Sequence, residues 1–406
     1  MRDVRVLEIS SPPTMLAGRI LGDLGADVVA IEPPRGAPGR RIEPFADGEP
    51  GLERSLTWQA LNYNKRGMTL DTASADGRAL LSDLLERFDI VIEATSPSEP
   101  SPLEEISLRP ELIRVQVRPF SPHGPKAAYR TTDLILMAAG GAPALAGESD
   151  RPPLFFPIPQ AMMEAGAEAA VATLSALIAR ERDGEGQIVD TPARIAAMAG
   201  AMGRIVSGFS GDTMSRRMPP ASENTSPLAT SNIPCADGYV VLSLAFAGAF
   251  AAMSANLIGW VRDEGELTPD IAATDWSRYA RGAEGSPPPE PLQELGAALR
   301  RLCGRLTKFE IVEASRKHGF MAAPVMTMKD IDLFPHYRER GLFVASTAGP
   351  DGRPIEVPAR FVQLEDDEIE IRSPAPRLSQ HTTEVLAQEL GLTKTEIQAL
   401  YVHEVI

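Results

Sequence analysis

Short apolar runs alternate with helical patterns through the first half of the chain, and this alternation constrains the fold more than any other feature. Two helical patterns, at residues 15–24 and from about residue 74, carry leucines on one face. Between and after them lie apolar runs of strand length, at residues 4–10, 27–32, 68–71, 89–93 and 112–117. Strands that alternate with helices in this way predict an α/β fold, in which parallel strands carry helices on both faces of the sheet.

The character of the sequence changes after residue 204. Residues 161–182 form the longest helical pattern, and Gly184 and Gly186 predict its end. Residues 210–235 are rich in Ser, Pro, Thr and Asn. Residues 262–292 combine acidic patches with a Pro run, which predicts a loop or insertion rather than core. Helical patterns return at 291–303, at 308–317 and twice between 381 and 400. We infer a second domain after the long helix.

The charge balance argues against one class of partner. The 406 residues include 40 Lys and Arg against 55 Asp and Glu, for a formal net charge of −15. Nucleic-acid affinity comes largely from clustered Lys and Arg side chains. The phosphate backbone of DNA or RNA is therefore not an expected partner.

The sequence predicts no metal site and no membrane span. Cys235 and Cys303 are far apart, and the five histidines are scattered, so no pair has the spacing of metal ligands. Charges at Arg2, Asp3 and Arg5 argue against a signal peptide. No run of eighteen apolar residues occurs, so no membrane partner is expected. We expect a cytoplasmic protein.

The common phosphate-binding and nucleophile motifs are missing. A Gly-rich dinucleotide loop would follow the first strand, where this chain has Ser11-Pro12-Pro13-Thr14. No Gly-Lys-Ser/Thr phosphate loop, no His-Glu-x-x-His and no Gly-x-Ser-x-Gly occurs. NAD or FAD bound in the usual mode is therefore not expected. Residue spacing alone identifies no catalytic site.

Five segments, in a fixed order along almost the whole chain, resemble the family III CoA-transferases. This family, also called CaiB/BaiF, includes formyl-CoA transferase, carnitine CoA-transferase and the α-methylacyl-CoA racemases. The segments are LGADVVAIEP (24–33), NYNKRGMTLD (62–71), Gly77 with DIVIE (89–93), LIARERDGEGQ (177–187) and QHTTEVL (380–386). Together they identify the chain as similar to this family in fold.

The resemblance implies a discontinuous architecture. Family members have a large Rossmann-like domain built from both chain ends and a small α+β domain inserted between them. Two chains interlock like links of a chain, so the family dimer is obligate. For this sequence we expect residues 1–205 and 336–406 to form the large domain, and residues 206–335 to form the linkers and the small domain.

The resemblance also identifies the position of the family's nucleophile. An aspartate at the start of the long helix attacks the acyl-CoA thioester, forming a mixed anhydride and then an aspartyl-CoA thioester. It lies four residues before one glycine and twenty-two before the first glycine of a Gly-x-Gly-Gln turn. Counting back from Gly166 and from Gly184 leads in both cases to Met162. Because a thioether cannot form an acyl anhydride, we expect no catalytic residue at this position.

Two further positions bear on whether another residue could replace the aspartate. Glu164 is a weak substitute, because two residues turn a helix by about 200° and place it on the opposite face from Met162. The racemases use a histidine that directly precedes the aspartate matched by Asp133, where this chain has Thr132. Both proton-transfer groups of the racemases are therefore missing, which makes racemisation less favoured than CoA transfer.

The family's CoA contacts are also eroded in this sequence. The usual Ala-Gly-Pro run after the first strand is replaced by Pro12-Pro13-Thr14-Met15, and a triplet like Glu-Asn-Phe by Glu93-Ala94-Thr95. A lysine is replaced by Ala73, and an arginine near Leu103 gives way to acidic sequence. Loss of cations weakens the binding of a polyanionic nucleotide.

The remaining CoA-contact candidates are few. They are Leu70 and, more weakly, Arg40 and Arg41 with Arg35, whose alternative role is a flexible, solvated loop. No tightly bound cofactor is expected. Coenzyme A or acyl-CoA is the expected substrate of the complex.

Three hypotheses remain open. First, the chain is the non-catalytic subunit of a heteromeric CoA-transferase and pairs with a catalytic paralogue, as in succinyl-CoA:benzylsuccinate CoA-transferase. That complex would act on an acyl-CoA and a carboxylic acid. Second, it is an altered acyl-CoA enzyme, such as a transferase, racemase or lyase, that uses residues such as Glu164 or Asp133. Third, it is a binding or regulatory protein of the same fold.

Overall fold

The computed structural model describes residues 1–97, 101–147, 151–209, 231–280, 290–346, 349, 352–359, 361–365 and 369–406. The strands are β1 Arg5–Ile9, β2 Asp27–Glu32, β3 Lys65–Thr69, β4 Ile90–Ala94, β5 Ile113–Arg118, β6 Ile188–Pro192, β7 Ser231–Cys235, β8 Gly238–Leu242, β9 Ala322–Pro324, β10 Phe343–Ser346 and β11 Ile355–Pro358. The first eight helices are α1 Pro12–Asp23, α2 Leu56–Asn62, α3 Ala75–Leu85, α4 Asp133–Gly140, α5 Ala142–Leu145, α6 Ala161–Asp183, α7 Ala193–Ala196 and α8 Met202–Phe209. The others are α9 Ala251–Asp263, α10 Pro269–Ala272, α11 Glu290–Cys303, α12 Lys308–His318, α13 Met328–Leu333, α14 Pro335–Glu339, α15 Thr382–Leu390 and α16 Lys394–Val402.

A six-stranded parallel sheet has the order β3-β2-β1-β4-β5-β6. The residues of β1 alternate between two apolar clusters, because Val6 packs in one cluster and Leu7 in the other. Burial on both faces explains why the strands have continuous apolar runs. The predicted α/β class and parallel sheet are confirmed. The strand order reverses between β1 and β4, which makes their carboxyl ends the crevice of a doubly wound sheet.

The edge strand β6 is absent from the sequence prediction. Its residues have no continuous apolar run, and Ile188 at its start is exposed. A strand with one neighbour needs little apolar sequence, so the pattern that reveals the central strands is missing here.

The long helix α6 packs along α1 and the sheet. Gly166 allows the close approach, since a Cβ at that position would lie 3.1 Å from both the Leu16 Cβ and the Pro13 carbonyl oxygen. By length and mean hydropathy alone, α6 would suffice to span a membrane. Its buried residues, including Ala165, Ala169 and Ala176, belong to the core cluster on the sheet, as is usual for a core helix.

Buried polar residues occupy the segment at 62–71, one of the five that resemble the family. The Lys65 ammonium lies 2.7 Å from the Glu8 carboxylate and also donates to the Asn62 side chain and the Met15 carbonyl. Burial is the largest influence on Lys65 and lowers its pKa, although the Glu8 charge opposes this shift. This part of the family resemblance therefore reflects a buried ion pair that joins β1 to β3.

The C-terminal segment is joined to β3. The Thr69 N–H donates to the Thr382 hydroxyl, and the Gly67 N–H donates to Nδ1 of His381. Further along, the Asp71 N–H donates to the Val405 carbonyl oxygen. Both ends of the chain therefore contribute to one compact body.

The chain divides into two compact units. The first comprises the described residues within Met1–Ala146, Pro153–Ser215 and His336–Ile406, and the second those within Gly147–Pro152 and Arg216–Pro335. The second unit contains an antiparallel sheet in the order β7-β8-β9, and α9, α11 and α12 enclose its apolar cluster.

Part of the segment predicted as loop between 262 and 292 belongs to that second unit's packing. The Trp276 ring stacks on Phe246 with centroids 5.8 Å apart, and Leu267 also packs against the apolar cluster. The prediction that this segment lies outside the core is wrong for these residues, because a few large side chains anchor a short acidic segment to the cluster. Residues 281–289 and most of 210–235 lie outside the described residues.

Candidate functional site

The helix α6 begins without a capping side chain of its own. Gln160 occupies the N-cap position and makes no side-chain cap hydrogen bond. The cap is provided by Asp133, at the start of α4: one carboxylate oxygen accepts the Gln160 N–H at 3.0 Å and the other accepts the Met162 N–H at 3.0 Å. This carboxylate stabilises the positive end of the helix dipole.

Position 162 lies in the first turn of α6. The Met162 side chain is half-buried and packs on the sheet cluster, whereas the next side chain, Met163, packs on a separate cluster around Trp58. Met162 thus lies where a carboxylate would receive the field of the helix N-terminus. Its thioether is uncharged and cannot act as an acyl acceptor.

An apolar cavity opens beside Met162. Its volume is about 800 Å³, and apolar side chains from the start of α1, from residues 42–45 and from residues 157–163 line it. Asp133 also lines this cavity. The size is within the range of small-molecule binding pockets.

Glu164 does not line the cavity beside Met162. Burial raises the pKa of its carboxyl, and the negative charges of Asp133 and Glu168 raise it further. One of its carboxyl oxygens is buried and has no hydrogen-bond partner among the described residues. A raised pKa reduces the anionic fraction at a given pH, so these surroundings do not favour a nucleophile.

The two positions expected to match the racemase acid–base pair are Thr132 and Met162, and neither side chain is an acid or a base at neutral pH. Thr132 is the N-cap residue of α4, and Asp133 follows it as the first helical residue. Both Asp133 oxygens accept backbone hydrogen bonds from the start of α6.

Arg40 is fully buried. Its guanidinium bonds both oxygens of Glu32, at 2.6 and 2.7 Å, and lies 4.0 Å from the Trp58 ring centroid. It also donates to the Glu53 carboxylate and the Pro376 carbonyl. Both predicted roles for Arg40, a phosphate contact and a solvated loop, assumed an exposed cation. This burial corrects that assumption, because the charge is neutralised inside the protein.

The other two predicted CoA-contact residues, Arg41 and Leu70, lie in different surroundings. Arg41 is exposed and donates to the backbone carbonyls of Arg35, Gly36 and Ala37. Leu70 follows β3 and is buried in a core cluster. The structure thus does not gather Leu70, Arg40 and Arg41 into one exposed cationic surface.

The segment around Leu103, where an arginine was expected from the family resemblance, has no cation. Leu103 is buried in the core, whereas Glu104 and Glu105 are exposed. Nearby, the Glu93 carboxylate is fully buried and paired with Arg114 at 2.7 Å, with a further hydrogen bond from Gln116. These contacts join β4 to β5.

Two buried hydroxyl groups follow the strands at the crevice of the sheet. Ser10 comes directly after β1, and Thr95 comes directly after β4. Their oxygens have no hydrogen-bond partner within the part of the chain that the structure describes. Buried hydroxyl groups usually have a partner, which is a protein group or an ordered water.

The phosphate-binding use of helix α1 is blocked by its sequence. Residues Pro12 and Pro13 occupy its first two positions and have no N–H groups. The Thr14 N–H donates to the Ser11 carbonyl.

The structure offers no metal site: the described residues contain no group of three or more His, Cys, Asp or Glu that could hold an ion.

Sequence reasoning missed the Asp133 cap and the cavity. The cap joins residues almost thirty positions apart, and an aspartate at the start of a short helix predicts only a local role. The cavity is formed by segments that are separate in sequence. The run of apolar residues at 154–163 is a sequence signal from which the cavity wall could have been predicted.

Comparison with known proteins gives a consistent result. The family model described as CoA-transferase family III matches residues 1–382. The succinyl-CoA:(R)-benzylsuccinate CoA-transferase subunit BbsE of Thauera aromatica is 30% identical over 403 residues, which cover 98% of this chain and 95% of that relative. The succinyl-CoA–D-citramalate CoA-transferase of Chloroflexus aurantiacus is 29% identical over 418 residues, which cover 100% of this chain and 97% of that relative.

Solved structures share the fold. A CaiB/BaiF family protein from Brucella suis matches with a TM-score of 0.77 and 24% identity, over 95% of this chain and 98% of that one. Rv3272 from Mycobacterium tuberculosis matches with a TM-score of 0.71 and 21% identity, over 94% of this chain and 98% of that one.

Proposed function

Because this chain belongs to CoA-transferase family III, we propose that it is the nucleophile-lacking subunit of a heteromeric CoA-transferase. The complex moves CoA from an acyl-CoA, such as succinyl-CoA, to a carboxylic acid in the cytoplasm. A paralogous partner with an intact aspartate forms the mixed anhydride and the aspartyl-CoA thioester. This chain completes an interlocked dimer through its large domain and its inserted small domain.

The observation that carries the proposal is Met162 in the first turn of α6. The helix start is built as for a catalytic carboxylate, with the Met162 N–H held by Asp133 and an adjacent cavity. The methionine at position 162 removes the nucleophile, whereas the Asp133 cap and the cavity lie beside it. Selection for a structural subunit would preserve the frame and relax the nucleophile.

Exposed apolar side chains support an obligate partner. A contiguous apolar patch larger than roughly a few hundred Å² is unusual on a soluble monomer and marks an interaction site. In the first unit, large apolar residues outside the cavity lining are exposed on four helices and on the segment before α6: Leu134, Ile135, Leu154, Phe155, Phe156, Val171, Ile178, Ile195, Met202, Val206 and Phe209. Phe209 alone is 89% exposed, which is costly for a phenyl ring in water.

The relatives support a division of labour. BbsE is by its name a subunit, and this chain is 30% identical to it over nearly its whole length. The buried Arg40–Glu32 pair adds to this support, because it leaves one candidate cation fewer for the phosphates of CoA.

One observation favours the second hypothesis, an altered enzyme that uses Glu164. Its carboxyl has a raised pKa and an unpartnered buried oxygen, as functional carboxyl groups often have. Position is the argument against it, since Glu164 does not line the cavity beside Met162.

Co-expression tests the proposal. The full chain is produced alone, and with a paralogue that has aspartate at the position of Met162. Size-exclusion chromatography with light scattering gives the assembly, and CoA transfer from succinyl-CoA to candidate acids is measured for each protein and for the pair. We expect a stable heterodimer, with transfer only when the paralogue's aspartate is intact.

Three outcomes would contradict the proposal. A homodimer of this chain that transfers CoA unaided would favour the altered enzyme. A well-behaved monomer would count against the interlocked architecture. A chain that neither pairs with a paralogue nor turns over any acyl-CoA would favour a binding or regulatory protein.

A further inference from the structure

The cavity beside Met162 has a lining that is apolar almost throughout. Ile42, Phe45, Ile158 and Met163 contribute side chains, and prolines from three segments add rigid apolar walls. Prolines lose little entropy on ordering, so such walls are preorganised. At about 800 Å³ the cavity has room for an aromatic ring or a branched hydrocarbon chain.

The charges of the lining have one sign. Its ionisable groups among the described residues are the carboxyls of Glu43 and Asp133, and that lining includes no Lys, Arg or His. Asp133 has a fixed position because two backbone N–H groups bond it. Glu43 is exposed at the cavity's edge. A ligand that brought a carboxylate into this space would meet like charge, and the Gln160 and Met162 N–H groups at the positive end of α6 are already bonded to Asp133.

We propose that this cavity binds the uncharged, apolar body of an acyl group and rejects an acyl group that ends in a free carboxylate. Apolar walls give affinity for a ring or hydrocarbon chain, and the two acids supply the repulsive element that specificity requires. The choice of an acyl group as ligand rests on the proposed function. A succinyl group would then bind at the partner's site. This chain would select the acyl group by its shape and charge and would catalyse no step.

The test uses thioesters that lack the nucleotide, so that CoA contacts play no part. The full chain is titrated calorimetrically with 3-phenylpropanoyl-N-acetylcysteamine, which is neutral and aromatic, and with succinyl-N-acetylcysteamine, which is anionic. We expect the aromatic thioester to bind at least about 10-fold more tightly, because it gains apolar burial and avoids the like charges. Equal affinities, or tighter binding of the succinyl compound, would overturn the proposal.

Charge reversal at the edge makes the test specific. Glu43→Lys should strengthen binding of the succinyl thioester by about fivefold and change that of the aromatic thioester by less than twofold. The control Glu105→Lys makes the same change in net charge at an exposed residue that does not line the cavity. If both variants have the same effect, the cavity charge is not responsible and the inference fails.

A second pair of variants tests the location. Ile158→Asp places a carboxylate on the cavity lining and should weaken binding of the aromatic thioester by about fivefold or more. Ile188→Asp is the matched control, because Ile188 is also exposed, lies outside the lining and is not among the apolar residues assigned to the partner surface. Unchanged binding in Ile158→Asp would place the ligand elsewhere.

The outcomes separate this inference from the proposed function. Partner-dependent CoA transfer with no preference between the two thioesters contradicts the cavity's selectivity alone. Preference for the aromatic thioester in a chain that takes no partner contradicts the subunit proposal alone. Absence of binding to the chain and to its complex with the partner would overturn the cavity as a ligand site.

Discussion

The carboxylate of Asp133 holds the backbone N–H of Met162 at 3.0 Å, so the start of α6 depends on a residue of another helix. Its second oxygen accepts the Gln160 N–H at the same distance. The side chain at position 162 therefore has no role in capping and is free to face the cavity. This arrangement explains how a methionine can stand there while the helix begins where the family's nucleophile is expected.

Asp133→Ala should loosen the first turn of α6. Two charge-assisted hydrogen bonds are lost, each worth about 1.5–3 kcal/mol at most, so amide exchange at residues 161–164 should accelerate by about 10-fold or more. Hydrogen–deuterium exchange with mass spectrometry measures this locally. Asp133→Asn keeps one acceptor oxygen and should give a smaller effect. Equal exchange in the wild type and in Asp133→Ala would contradict the cap.

Arg40→Ala should destabilise the protein strongly. It leaves the fully buried Glu32 carboxylate without its cation, which costs about 3–5 kcal/mol when one partner of a buried pair is removed. Arg41→Ala is the control, since the exposed Arg41 bonds only backbone carbonyls among its described hydrogen bonds. Urea unfolding midpoints compare the two. A normal midpoint in Arg40→Ala with weakened CoA binding would instead restore its predicted phosphate contact.

Met162→Asp should return a reactive carboxylate to the start of α6. Because the Asp133 carboxylate bonds the N–H of residue 162, like charge will raise the pKa of the new carboxyl, so its reactivity should rise with pH. Mass spectrometry after incubation with an acyl-CoA should detect a hydroxylamine-sensitive adduct in this variant and none in the wild type. Ala167→Asp, which puts the same residue elsewhere on α6, should form none. A folded but unreactive Met162→Asp would contradict the assignment of this position.

His381 should make stability fall in mild acid. Burial lowers the pKa of its imidazole, and its Nδ1 accepts the Gly67 N–H at 3.0 Å, which requires the neutral ring. With a folded-state pKa below the ordinary value of about 6.5, the unfolded chain binds more protons there. Stability from this group is therefore present above about pH 6.5 and is lost as the pH falls toward the lower folded value.

The corresponding measurement is the urea midpoint between pH 7 and pH 5. His381→Asn should reduce its pH dependence, whereas replacement of the exposed His403 should not. The same pH slope in His381→Asn as in the wild type would exclude His381 as the titrating group.

The sequence by itself determined the layered fold and the methionine at position 162. Strands buried on both faces require continuous apolar residues, as β2 and β4 show, and helices between them need one apolar face. These are local patterns, and they can be read from neighbouring residues. The identity of residue 162 is likewise a property of the sequence alone.

Only the tertiary structure decided which charged side chains are exposed and can contact a ligand. Arg40 reads as a solvated cation, yet its contacts with Glu32 and with the Pro376 carbonyl, 336 residues away, bury it completely. The cap on α6 by Asp133 and the cavity beside Met162 also join distant segments. No local pattern encodes such pairings, because burial and hydrogen bonding depend on which segments the fold brings together.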